Sequence, residues 1–388
     1  MTLPREGFPV LVVAGEASGD LHASFLCEEI KKQSREPVYF WGSGGERLAR
    51  LGAHLLASSD QLAAIGPVEA IRHIGGYYGL YRSILKEAET HPPCLAILVD
   101  FPDFNLPLAR ALKRRGIGPI VYFISPQIWA WRSGRVKQIQ RTIDKMIVLL
   151  PFEVDFYRAH QVQVDYFGHP LAARKFQEKN RERFAQEYNL NVKNVFVAVL
   201  PGSRRREIAA ILPLVLAAAQ RLTAAEREKL HLVIAAAPGM QQEIEKVALH
   251  SGANFKVKVV AGSEQALAHC DYGLVKSGTS TLEAALAGIP FAVVYRVSPW
   301  SWIIGKCLVR TQHYALPNLI LNERAVPELM QREANPGSIA EILSSFIRRD
   351  PQWEHVQKKL QQVKSELVAE NPYRDAAKTV LQLLGSHP

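Results

Sequence analysis

The feature that most constrains this chain is a series of short segments that are apolar almost throughout, each running into a polar, often glycine-bearing loop and then a helical pattern. Val10–Ala14 is the first, followed by Gly15-Glu16-Ala17-Ser18-Gly19-Asp20, after which Leu21, Phe25, Leu26 and Ile30 fall near helical spacing. Val38–Trp41, Cys94–Val99, Ile120–Ile124 and Met146–Leu150 repeat the theme. A strand that is apolar at every position, rather than at alternate ones, is buried on both faces. Helices between such strands supply the cover, so the spacing predicts a parallel sheet in an α/β fold.

A second series starts after Pro170. Lys175 to Asn194 reads as a surface helix plus a connection, and Val195–Leu200 is a strand ending in Pro201-Gly202-Ser203-Arg204. Leu230–Ala236, Val257–Val260, Tyr272–Val275 and Phe291–Tyr295 continue as strands with helices between them. Two Rossmann-like domains are therefore expected, 1–172 and 173–337. Only helical pattern remains in 338–388, through Ile339–Ile347 and Val356–Leu384. Ligands of such sheets bind outside the carboxyl ends of the strands, which tandem domains place around a central cleft.

The loops at those ends carry the chemistry. Ser277-Gly278-Thr279-Ser280 follows the strand Tyr272–Val275 and opens a helix. Free N–H groups at a helix start suit a diphosphate, and Glu283 lies where a carboxylate can take a ribose diol. The same residues also read as an ordinary cap with an acid favoured by the helix dipole. Gly202, Ser203 and Arg204 repeat the logic on another strand, Arg204 offering a fork of donors to phosphate. No G-x-x-x-x-G-K-[ST] occurs, and Gly42-Ser43-Gly44-Gly45 lacks the third spaced glycine of a dinucleotide fingerprint.

On the first half, Asp100-Phe101-Pro102-Asp103-Phe104-Asn105 follows the strand Cys94–Val99. Asp103 can take a proton from an attacking hydroxyl, with Glu16 as the rival base. Asn105 is expected as an N-cap and, with Ser18, as a polar group of the acceptor side of the cleft. The alternative reading puts Asp100 in a buried hydrogen bond and Asp103 in a turn.

The chain has 388 residues, with 47 Lys+Arg against 37 Asp+Glu, and this net charge of +10 calls for an anionic partner. The basic residues are spread over several loops rather than one recognition helix, which argues against nucleic acid. No apolar run reaches the roughly 18 residues of a membrane-spanning helix, and Phe291 to Val309 is interrupted by Arg296, Pro299 and Lys306. Residues 1–8 lack the pattern of a secretory signal. Cys27, Cys94, Cys270 and Cys307 are far apart, and His22, His54, His73, His169 and His313 are not paired at ligand spacing, so neither a disulfide scaffold nor a metal site is expected. Tyr77, Tyr78 and Tyr81 lie near Arg82 and Lys86, and Trp300, Trp302 and Ile303 lie near Lys306 and Arg310. Such aromatic and basic mixtures suit an anionic bilayer surface or an acyl chain beside a phosphate. Core or dimer packing is the other reading.

Taken in order, G-E-A-S-G-D at Gly15–Asp20, D-F-P-D-F-N at Asp100–Asn105, W-A-W within Ser125–Trp131, L-P-G-S-R at Leu200–Arg204, S-G-T-S-T-L-E at Ser277–Glu283 and L-P-N at Leu316–Asn318 resemble the lipid-A-disaccharide synthases. The likeness spans about Val10 to Ile320, with Glu46 and Ala173 standing where that family usually has a proline and an acid. It implies a glycosyltransferase of the GT-B type, with the C-terminal helices of 338–388 returning to the first domain, that inverts the anomeric centre without a metal or other cofactor. The implied donor is UDP-2,3-diacylglucosamine and the implied acceptor lipid X (2,3-diacylglucosamine 1-phosphate). The products would be UDP and the lipid A disaccharide phosphate, made at the cytoplasmic face of the inner membrane. By position, Glu16, Asp103, Arg204 and Asn318 match polar residues important to the family, and Ser277–Glu283 matches its UDP site. Another UDP-sugar transferase, or a UDP-GlcNAc epimerase on the same fold, is the alternative.

Overall fold

The computed structural model describes residues 7–58, 70–130, 133–174, 180–250, 255–298, 302 and 311–385. Contacts divide the chain into two units, residues 1–173 with 369–388, and residues 174–368.

In unit 1 the described strands are β1 (Phe8–Ala14), β2 (Val38–Gly44), β3 (His54–Ser58), β4 (Leu95–Val99), β5 (Ile120–Phe123), β6 (Lys145–Val148) and β7 (Val164–Tyr166). They form one sheet in the order β3-β2-β1-β4-β5-β6-β7, with every pairing parallel. Between them lie α1 (Ala17–Gln33), α2 (Glu46–Arg50), α3 (Ala70–Thr90), α4 (Pro102–Arg114), α5 (Val136–Thr142) and α6 (Pro151–Ala159). Leu11 and Val13 of β1 face a core layer with Leu98, Phe104 and Leu108, while Val10 and Val12 face the opposite layer with Leu26, Ile30 and Ile97. That two-sided burial is why β1 is apolar at every position.

Unit 2 carries β8 (Val195–Leu200), β9 (Leu230–Ala236), β10 (Lys256–Ala261), β11 (Tyr272–Lys276), β12 (Phe291–Tyr295) and β13 (Glu328–Met330). Their order is β10-β9-β8-β11-β12-β13, again parallel throughout. Its described helices are α7 (Arg181–Glu187), α8 (Arg205–Arg221), α9 (Ala224–Glu228), α10 (Gln241–His250), α11 (Gly262–His269), α12 (Thr279–Ala287), α13 (Leu316–Leu321), α14 (Pro336–Arg348) and α15 (Gln352–Leu367). The strands that sequence reading omits, β3, β7 and β13, all lie at sheet edges and have 5, 3 and 3 residues. Edge strands bury less surface, so their apolar signal is weak.

The tail departs from expectation. Only α16 (Pro372–Gly385) packs on unit 1, where Ala376, Ala377, Val380 and Leu384 join Leu26 and Ile30 of α1. Tyr373 of α16 also meets His22 of α1, hydroxyl to Nδ1, at 2.7 Å. The two preceding helices, α14 and α15, belong to unit 2, not to the first domain. Phe346 of α14 stacks on Tyr272 of β11 at 4.5 Å between ring centres, and Trp353 of α15 packs on Phe346 at the same distance. The single run expected over Val356–Leu384 breaks between Leu367 and Pro372. Pro372 cannot donate to a continuing helix and instead starts a new one.

Candidate active site

Each sheet has one point where strand order reverses, between β1 and β4 in unit 1 and between β8 and β11 in unit 2. Loops leaving the carboxyl ends of two such neighbours diverge to opposite faces and open a crevice. In unit 1 those loops carry Glu16 and Asp100–Asp103; in unit 2 they carry Gly202–Arg204 and Ser277–Ser280.

In unit 1, Glu16 is the residue before α1, is exposed, and makes no cap to its own helix. Ser18 lies exposed in the first turn. Asp20 turns the other way, accepting from Gly45 N at 2.6 Å and Arg47 N at 3.1 Å to cap α2. The Asp100–Phe101 pair takes two successive left-handed conformations, φ 46° and 51°, a costly arrangement for residues with side chains. The Phe101 ring lies against Gly15, where a Cβ would approach it to 2.4 Å, so any side chain here would force the ring to move. Asn105 and Tyr122 hold the turn. Tyr122 donates to Asp100 O at 2.6 Å, and Asn105 Nδ2 donates to Asp100 O at 2.8 Å, Val99 O at 3.2 Å and Val13 O at 3.4 Å. Asn105 is therefore a splint across the β1–β4 crevice. It is neither the expected N-cap, since Phe101 precedes α4, nor a surface group, since it is fully buried.

Asp103 projects from the first turn of α4 and pairs with Arg135 Nη2 at 2.5 Å. Burial pushes the Asp100 carboxyl up to about 6, the charge of Glu16 adds to the rise, and the Phe101 N–H opposes it. Burial also raises the Tyr77 hydroxyl, helped by the charges of Glu16 and Asp103. Three carboxyls and a phenol thus share one electrostatic environment. Behind them Glu153 is 3% exposed, accepting from Trp129 Nε1 and Leu150 N, both at 3.1 Å. Desolvation pushes its carboxyl up to about 7 against those hydrogen bonds.

In unit 2, Gly202 has φ +121°, and a Cβ there would meet Glu207 Oε2 at 2.4 Å, so glycine is required on both counts. Ser203 N donates to Glu207 Oε2 at 3.0 Å, and Arg204 keeps 78% of its side chain exposed at the start of α8. Gly278 precedes α12, and Thr281 donates its N–H and hydroxyl back to Gly278 O. Ser277 Oγ donates to Tyr314 O at 3.0 Å, fastening the next loop. Glu283 is half-buried, without a hydrogen-bond or ion-pair partner among the described residues.

Asn318 differs from expectation. It is fully buried, donates to Val326 O and Glu328 Oε1, and accepts from Val326 N. Glu328 Oε1 in turn accepts from Tyr314 N and Ala315 N. Asn318 thus shapes the 314–315 loop from within, through Glu328. Tyr77 and Tyr81 pack on the core of unit 1 beside Phe104, while Tyr78 is 60% exposed with the Arg82 guanidinium 5.7 Å from its ring centre. Trp302 rests on Tyr314, ring centres 5.7 Å apart. Trp300 and Ile303 lie outside the described residues.

Sequence reading missed Arg135, Tyr122, Glu153, Glu207 and Lys276. Only Lys276 left a usable signal, a charge ending an apolar strand directly before Ser277-Gly278. Among the described residues no group of three or more His, Cys, Asp or Glu is placed to hold a metal ion, and no helix is long and apolar enough to cross a membrane.

Solved structures share this double-sheet architecture: the glycosyltransferase of kitacinnamycin has a TM-score of 0.64 at 15% identity, covering 98% of this chain and 100% of its own. Two curated relatives are much closer in sequence, and both are lipid-A-disaccharide synthases. That of Koribacter versatilis is 38% identical over 378 residues, 96% of this chain and 98% of the relative. That of Geobacter metallireducens is 37% identical over 381 residues, 97% of each. The model of the lipid-A-disaccharide synthetase family matches residues 10–382, nearly the whole length. On that coverage, the chain belongs to the lipid-A-disaccharide synthetase family.

Proposed function

We propose that Asp103 is the general base and Arg204 a diphosphate ligand in a hexosyl transfer that forms the lipid A disaccharide. The chain is a GT-B hexosyltransferase of lipid A biosynthesis. The family match favours disaccharide formation over epimerisation. In the reaction so assigned, UDP-2,3-diacylglucosamine is the donor and lipid X the acceptor. The primary hydroxyl oxygen of lipid X bonds to the anomeric carbon from the face opposite UDP. The bond from that carbon to the diphosphate oxygen breaks, and UDP leaves with the electron pair. The hydroxyl proton passes to Asp103, which Arg135 orients; Glu16 orients the acceptor. Arg204 and the N–H groups at 278–280 meet the growing charge on UDP, and Glu283 takes the ribose diol. Unit 1 is then the acceptor side and unit 2 the donor side.

The observation that carries this reading is the contrast between the two crevices. One gathers Glu16, Asp100 and Asp103; the other gathers Arg204 and the start of a helix. The first suits proton removal, the second a diphosphate. A micelle assay with radiolabelled lipid X and UDP-2,3-diacylglucosamine, run in EDTA, is expected to yield disaccharide and UDP. Epimerisation or hydrolysis of UDP-GlcNAc without any disaccharide would sink the assignment. Association with an anionic membrane face belongs to the same proposal, supported by the exposed Tyr78–Arg82 pair. Replacing both with serine should weaken co-sedimentation with phosphatidylglycerol vesicles, and unchanged sedimentation would remove the pair from that role.

A further inference from the structure

At the carboxyl end of the second sheet, three donors converge on one carboxylate. Glu207, in the first turn of α8, accepts Ser203 N at 3.0 Å on Oε2, and on Oε1 it meets Arg204 at 3.3 Å and Lys276 at 3.0 Å. Burial works against charge on Glu207, yet these partners hold its carboxyl below the usual glutamate value. Lys276 is the last residue of β11, with 19% of its side chain exposed. Its ammonium lies 5.9 Å from the ring centre of Tyr295 and 3.6 Å from where a Cβ on Gly278 would stand. A cation is therefore fixed between the Gly202–Arg204 loop and the residue that opens α12.

Two cations and a backbone N–H directed at one anion is the donor set that a diphosphate needs. The chain's own carboxylate occupies that place. An ammonium has three N–H donors. With one given to Glu207, Lys276 retains two for phosphate oxygens, and its flexible stem lets the point charge follow them.

The geometry points to Lys276 as a further residue of the donor site, binding the diphosphate of a nucleoside diphosphate and held in register by Glu207. The inference rests on the reading that the 202–204 and 277–280 loops receive UDP.

Calorimetric titration of the full chain with UDP and with uridine tests it. Lys276→Met should raise the UDP dissociation constant about tenfold or more, the loss of one charge-assisted contact, and leave uridine binding within about twofold of wild type. Lys276→Gln, which keeps a polar strand end, guards against a folding defect and should show the same selective loss. Equal weakening of UDP and uridine would mean a purely structural lysine and overturn the inference. Unchanged UDP binding in both lysine variants, with Glu283→Ala still weakening it, would also overturn it and leave the donor-site reading intact. If Glu283→Ala and both lysine variants all leave UDP binding unchanged, both readings fall.

Discussion

Arg135 and Asp103 meet at 2.5 Å although they leave different strands, Asp103 following β4 and Arg135 following β5. Asp103 keeps 73% of its side chain exposed and Arg135 only 28%, so the arginine is the anchored partner and the acid the one presented to solvent. If Asp103 is the general base, as proposed above, Asp103→Asn should lose roughly 10²- to 10⁴-fold in kcat, the span of such a group. Arg135→Met should lose less, about tenfold to 10²-fold, because it misplaces the base without removing it. Steady-state kinetics in micelles decide the matter, and near-normal turnover of Asp103→Asn would take the role from Asp103.

Glu283 is half-buried in α12 and has no hydrogen-bond or ion-pair partner among the described residues. If it takes both hydroxyls of a ribose, Glu283→Ala should weaken UDP by about 10- to 100-fold, equivalent to hydrogen bonds worth about 1.5–3 kcal/mol. The variant should lose far less affinity for inorganic diphosphate, which has no ribose. Equal losses on both ligands would refute the ribose assignment.

Glu153 makes stability depend on pH with an unusual sign. In the folded chain burial holds its proton up to about pH 7, whereas an exposed glutamate releases it near 4.5. Between those values the folded state binds more protons than the unfolded one. The contribution is thus fully present below about pH 4.5 and is lost as pH rises through about 7. Glu153→Gln should flatten this slope by on the order of 2–3 kcal/mol. Urea unfolding of both proteins at pH 5 and pH 8 measures it, and parallel slopes would show that Glu153 stays ionised.

Asn318 carries a prediction about stability before activity. Asn318→Ala leaves Val326 N without its acceptor and removes a donor from the buried Glu328. The expected cost is about 2–4 kcal/mol, from several buried polar groups losing partners together. The melting temperature should fall in step with turnover. A variant as stable as wild type but inactive would return Asn318 to direct substrate contact.

Much of this was legible locally. Val10–Ala14 and Val195–Leu200 announce central strands because residues buried on both faces must be apolar at every position. Glycine-bearing strand ends at Gly15 and Gly202 announce crevice loops because close approach at both, and a positive φ at Gly202, disfavour side chains. Edge strands such as Val164–Tyr166 were not legible, since half-covered strands impose a weaker pattern. Asn105 and Asn318 read as site residues, and the structure uses them to hold loops. An amide's identity says that it will form hydrogen bonds, not with whom.

The residues alone were enough for the alternation of strand and helix, the two-domain α/β class, and the polar loops at the strand ends. Each depends on residues within one turn or one strand of each other. The tertiary structure alone decided that β1 lies beside β4 and β8 beside β11, which brings Glu16 toward Asp100 and Gly202 toward Lys276. It also paired Arg135 with Asp103, placed Lys276 on Glu207, and sent α14 and α15 to the second unit while α16 joined the first. Those choices depend on which distant surfaces bury one another best, a quantity that no local spacing records.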